Sequence, residues 1–270
     1  MHAVYTLLGH FFMHLWGSLP ITDTSKYLFF FPLVIMDLSD TDDRRFEYSY
    51  FTGSSDAFAE EFPEVAPLPA HASELDGIVR AAFIERLGVS VDSVVTFHAD
   101  LSADLMGTSS SNASIIILAT SVLEGTTPFY NDVFKQLNPD ATPDDLCRSV
   151  LAHEYGHQLF KNYLPPNGRH HWLAEAHRKR LLPKDTTHEL HMPLSEAFAL
   201  WCEHAVCDLD GLQRTALLES TYHSNHLVCF YYDHLCVAER RSTPKKVYAS
   251  LPLFARKTER EALTFLPSQI

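Results

Sequence analysis

The strongest constraint on the fold is a pair of histidines four residues apart, inside a helix whose start is written into the chain. The segment runs Thr142-Pro143-Asp144-Asp145-Leu146-Cys147-Arg148-Ser149-Val150-Leu151-Ala152-His153-Glu154-Tyr155-Gly156-His157-Gln158-Leu159-Phe160. Thr142 suits the N-cap, Pro143 the first helical position, and Asp144 and Asp145 the positive end of the helix dipole. The pattern predicts a helix over 143–162, with Leu146, Val150, Leu151, Leu159 and Phe160 on its buried flank. At about 3.6 residues per turn, His153 and His157 share a face, and both imidazoles can reach one ion at about 2.0–2.1 Å. Glu154 is turned about 100° from His153. That places it beside the ion, where a carboxylate can take a proton from an acidified water. Gly156 leaves room for a neighbouring backbone. These residues predict a zinc site with His153 and His157 as ligands and Glu154 as general base.

A catalytic zinc needs a third protein ligand and an open position. Two downstream glutamates compete for it. Glu196 follows Pro193 and is expected in the first turn of an apolar helix, beside the small residues Ala197 and Ala199 that permit close packing. Glu175 stands in the charged run Glu175-Ala176-His177-Arg178-Lys179-Arg180, which reads as a solvated face. The balance favours Glu196. Glu203, two turns further on, lies on nearly the same face and is placed to accept a hydrogen bond from a ligand histidine.

The histidine pair followed by a helix opening Glu196-Ala197-Phe198-Ala199 resembles the gluzincin metallopeptidases, zinc enzymes with glutamate as third ligand. The stretch from Asn112 to His157 also resembles the HtpX and CAAX-prenyl-protease type. There an Asn-Ala and an apolar strand precede an acidic helix start and then Val-Leu-Ala-His-Glu, here Val150 to Glu154. In size the closest comparison is the minigluzincins. The resemblance extends from Asn112 to Asp208. It implies zinc on His153, His157 and Glu196, Glu154 as general base, a zincin-like fold, and a peptide substrate paired along Ile115–Ala119 as an edge strand. Two departures stand out. Leu200 occupies a position where the HtpX type has Asp, and thermolysin-like enzymes place their glutamate nearer, where Glu175 falls.

The rest of the chain reads as α+β. Strands are expected over 27–38, 46–52, 91–99 and 114–119, and a helix over 75–87 capped by Gly88, with Leu75, Ile78, Val79, Ala82, Phe83 and Leu87 on its buried side. Helices are expected over 172–182, 193–208, 212–237 and 256–265. Strands come early and helices late. This suggests one catalytic unit in two lobes: residues 1–162 with a small mixed sheet and the metal helix, and a helical lobe, 163–270, carrying the third ligand. The histidines of His188-Glu189-Leu190-His191 read as turn residues. Tyr222 and His223 are candidates for stabilising an oxyanion.

The formal net charge of −13 argues against a general affinity for nucleic acid. The segment 240–260 runs the other way, with seven Lys/Arg and one Glu, and reads as a solvated face or a docking patch for an acidic partner. Five cysteines without a CxxC read as reduced thiols, and no apolar run predicts a membrane span, so a cytoplasmic location is expected. A zincin-fold protein whose metal is structural or regulatory, and a zinc amidohydrolase acting on other bonds, are the competing readings. Glu154 argues against the first, since a structural site does not need it.

Overall fold

Side chains that point alternately to the two faces of β4 (Ile115–Ala119) explain where the core sits. All five residues are buried, because the two sheet faces are both covered. Ile116 and Leu118 join one apolar cluster, with Leu75, Val79 and Phe83 and with Leu151 and Tyr155. Ile115 and Ile117 join the other, with Phe58, Phe62 and Phe97. A side-chain period of two sorts one run of isoleucines into two cores. The structure, a computed structural model, describes residues 47–48, 51–102, 105–110, 113–163, 187–208 and 226–249. All of them fall in one compact unit, Met36–Leu263.

The sheet has four strands in the order β1 (Ala66–Pro67), β2 (Val95–Ala99), β4, β3 (Gly107–Ser109). β2 and β4 are parallel, with Val95 opposite Ile115 and Ala99 opposite Ala119. β1 pairs with β2 and β3 with β4, both antiparallel. The sheet is therefore mixed and the fold α+β. One expectation is overturned. Ile115–Ala119 is not an edge strand: it has a partner on each side, and among the described residues β3 lies at the edge.

One face carries α1 (Ser55–Glu61), capped by Ser54, whose side chain accepts from the Ala57 N–H. Its Phe58 stacks with Phe62 at a ring separation of 4.7 Å and with Phe51 at 5.0 Å. The other face carries α2 (Ala70–Ala82), which continues through a wider π-helical turn, Phe83–Leu87, to Gly88. Gly88 ends it with φ of 72°, a conformation that costs glycine nothing. The α2 stripe buries Leu75, Val79, Phe83 and Leu87, whereas Ile78 stays 52% exposed. The described residues of the strand expected over 46–52 form none: Glu47 and Tyr48 are helical and 51–52 irregular.

After the short α3 (Thr120–Glu124), α4 (Pro143–Tyr163) is the predicted metal helix. Thr142 and Asp145 cap it reciprocally. The Asp145 carboxylate accepts from the Thr142 N–H at 2.9 Å and from its hydroxyl at 2.8 Å, and the Thr142 Oγ1 accepts from the Asp145 N–H at 3.3 Å. α5 (Thr187–Val206) packs along α4, and α6 (His226–Arg240) packs against α5, where Trp201 Nε1 donates to Glu239 at 2.9 Å. α5 starts six residues earlier than Pro193 suggested. His188 and His191 therefore lie in a helix and not in a turn, and Glu196 lies mid-helix. No helix among the described residues is long and apolar enough to cross a membrane.

Candidate metal site

Two helices build the site, and one glycine lets them meet. A β-carbon at Gly156 would lie 2.6 Å from the Ala199 Cα and 3.2 Å from its Cβ and carbonyl oxygen. No L side chain fits there without moving α5. Ser149 faces Glu203, Gly156 faces Ala199 and His157 faces Ser195, so the helices run antiparallel. This apposition carries Glu196 onto the histidine pair.

His153 Nε2 and His157 Nε2 are 3.1 Å apart. The Glu196 carboxylate completes a triangle, with Oε2 3.4 Å from His153 Nε2 and Oε1 3.5 Å from His157 Nε2. A tetrahedral ion with ligands at about 2.0–2.1 Å holds them about 3.3 Å from one another. The three groups thus stand at the separation a zinc-sized ion requires. They form the one cluster among the described residues whose spacing suits a metal, and each is partly buried. Glu175 lies outside the described residues.

The outer nitrogens of the histidines are held too. His153 Nδ1 donates to Glu203 Oε2 at 3.1 Å, and Ser149 Oγ donates to Glu203 Oε1. His157 Nδ1 meets Ser195 Oγ at 2.8 Å. A carboxylate only accepts, so the proton of a neutral His153 sits on Nδ1, and the Nε2 lone pair faces the triangle.

The electrostatics suit a cation. Burial opposes charge on His153, but the Glu196 and Glu203 carboxylates outweigh it and hold its pKa well above the usual 6.5. Burial likewise opposes charge on Glu203, yet His153, His204 and the Ser149 hydroxyl hold its pKa below the usual 4.5. Without an ion, the pocket attracts a proton; a divalent cation would replace it.

No protein-family model, curated protein or solved structure matches this chain. The site therefore rests on its own geometry.

Glu154 is not one of the three converging groups. It is 6% exposed and packs on the edge strand: a β-carbon at Gly107 would lie 3.0 Å from the Glu154 Cγ and 3.1 Å from its Oε1. The sheet is itself tied to α4 at β4 and just past the end of β3. Gln158 Nε2 donates to the carbonyls of Ile115 at 2.8 Å and Ser110 at 3.2 Å. On the far side of the helix, Tyr155 OH donates to Asp76 Oδ1 at 2.5 Å and lies 3.1 Å from Thr96 Oγ1. Arg80 clamps Asp76 Oδ2 at 2.7 Å. Burial and the Asp76 charge both push the Tyr155 pKa above its usual value.

Gln158, Ser149, Ser195 and Asp76 gave no signal in the sequence, being single polar residues with distant partners. Of the oxyanion candidates, Tyr222 and His223 lie outside the described residues.

Proposed function

We propose that this chain is a zinc-dependent metallopeptidase of the gluzincin type, with a zincin-like fold. The observation that carries the reading is the triangle of His153 Nε2, His157 Nε2 and the Glu196 carboxylate, with edges of 3.1, 3.4 and 3.5 Å. Zinc held there would acidify a water and polarise the scissile carbonyl. Glu154 would accept the proton of that water and hand it to the leaving amine. Gly107 lets the Glu154 side chain pack closely against the strand.

The peptide substrate would add as a further strand on β3, since β4 has both sides filled. A β-carbon at Gly107 would press on the Glu154 side chain, 3.0 Å from its Cγ, so glycine is favoured at that strand position. The buried free thiols Cys147 and Cys202 fit a reducing compartment and a cytoplasmic protein.

The test compares the parent with Glu154→Gln and Glu196→Ala, measuring zinc by elemental analysis and cleavage on a peptide library. Glu154→Gln is expected to keep zinc and lose cleavage. Glu196→Ala is expected to lose the metal. A parent that holds no zinc after metal loading sinks the reading. A parent that holds zinc but cleaves no peptide, with Glu154→Gln indistinguishable from it, would favour a structural or regulatory metal.

A further inference from the structure

The two ligand histidines are steadied by different chemistry. Glu203 can only accept, and it fixes the His153 ring in one arrangement. On its Nδ1 side His157 meets the hydroxyl of Ser195, 2.8 Å away and on a buried residue. A hydroxyl both donates and accepts. With a cation on His157 Nε2, the ring proton belongs on Nδ1 and Ser195 Oγ accepts it. Without a cation, His157 Nε2 stands 3.1 Å from His153 Nε2 and 3.5 Å from Glu196 Oε1; when it carries the ring proton toward either acceptor, Ser195 turns its hydroxyl hydrogen and donates to Nδ1. Neither state requires a heavy atom to move.

Ser195 is also the residue before Glu196. One turn of α5 therefore supplies both a metal ligand and the group that holds a ligand from α4. Its register is fixed one turn later by the contact of Ala199 on Gly156, where a β-carbon would come within 2.6 Å.

We propose that Ser195 is a positioning residue for the metal, holding His157 through either ring tautomer so that the ligand triangle persists with and without its ion. The inference rests on the metal-site reading given above and adds a residue that reading does not use.

The experiment compares the full-length parent, Ser195→Ala and Ser195→Thr. Zinc affinity is measured by chelator competition, and the ring protons of the zinc-loaded proteins by nitrogen-15 NMR. Ser195→Ala is expected to weaken zinc ten- to a hundredfold, the usual effect of removing a group that orients a metal ligand. The His157 Nδ1 proton, protected in the parent, should then exchange with water. Ser195→Thr keeps the hydroxyl and should restore both. Ser195→Ala binding zinc within about twofold of the parent, with its Nδ1 proton still protected, overturns the inference. If Ser195→Ala fails to fold, the zinc-loaded parent decides: a protected Nδ1 proton on His157 supports the inference, and a proton found on Nε2 or an unprotected Nδ1 overturns it. A parent that binds no zinc overturns the metal-site reading as well; a parent that binds while the alanine variant binds equally overturns Ser195 alone.

Discussion

A methyl group at position 156 would lie 2.6 Å from the backbone of Ala199. The obstacle is a Cα in a packed helix, not the end of a flexible side chain, so α5 must shift to admit it. Gly156→Ala would gain helix propensity, about 1 kcal/mol in isolation. Overpacking typically costs about 1–3 kcal/mol, so the net destabilisation should be up to about 2 kcal/mol. Glu196 rides on the displaced helix, so the triangle should open and zinc affinity should fall as well. Urea unfolding and chelator competition on the same variant check both effects. An unchanged zinc affinity would mean that the helix spacing does not set the site. Most of the site was legible at this scale: the spacing of His153 and His157, the offset of Glu154, the small residues at 156 and 199, and the placement of Glu203 on the same face as Glu196.

At the scale of an element, α4 begins on a reciprocal cap between Thr142 and Asp145. Thr142→Ala should cost about 1 kcal/mol, the usual loss for an N-cap hydroxyl. The pH dependence has a definite sign. Burial opposes charge on Asp145, but the Thr142 bonds and the Arg148 guanidinium win and hold its pKa below the usual 3.8. A lowered carboxylate pKa stabilises the fold above the unfolded value, and that contribution disappears as pH falls through the folded one. The stability difference between the parent and Asp145→Asn should therefore be present near neutrality and shrink once the pH drops below the ordinary value. Chemical denaturation at several pH values measures it; a difference that grows toward acid would contradict the cap. The helix was readable from the chain because capping and a 3.6-residue period are local. The start of α5 was not, because Pro193 suggested a beginning and the helix runs through it from Thr187.

On the scale of the whole molecule, the described fold is a mixed sheet with helices on both faces, closed by α4 against α5. Its charge is uneven. The chain carries a formal −13, yet Arg240, which ends α6, and Arg241, Lys245 and Lys246 just beyond it are all exposed. Val247 and Tyr248, which follow, are buried and anchor that corner. A bound ion should be a large part of global stability: at a thousandfold excess over its dissociation constant, zinc adds about 4 kcal/mol. The raised pKa of His153 sets how this varies with pH. Its protonated form stabilises the metal-free fold fully below the ordinary value, and that contribution fades as pH rises through the higher folded value. Zinc must displace the same proton, so binding weakens toward acid. The gap in Tm between zinc-loaded and chelator-treated protein should accordingly widen as the pH is raised from about 5.5 to about 8. A gap that is flat or narrows with pH would mean that His153 does not give up a proton on binding.

The pattern of the chain was enough for whatever is settled within a few turns. The metal helix, its cap, its histidine face, the strand at 115–119 and the glycine stop at 88 all follow from local period, sterics and capping. Pairing between distant segments is a different matter. The apolar run Ile115–Ala119 reads the same whether the strand lies at an edge or inside a sheet, and it was expected at the edge. Folding put it in the middle because β2 and β3 both claim it, and burial of both its faces accounts for the unbroken run of apolar side chains. The grip of Asp76 on Tyr155 spans 79 positions, and that of Ser195 on His157 spans 38. No period connects such residues. Each pair is polar at one atom, and only the packing of α2 and α5 against α4 brings those atoms within reach.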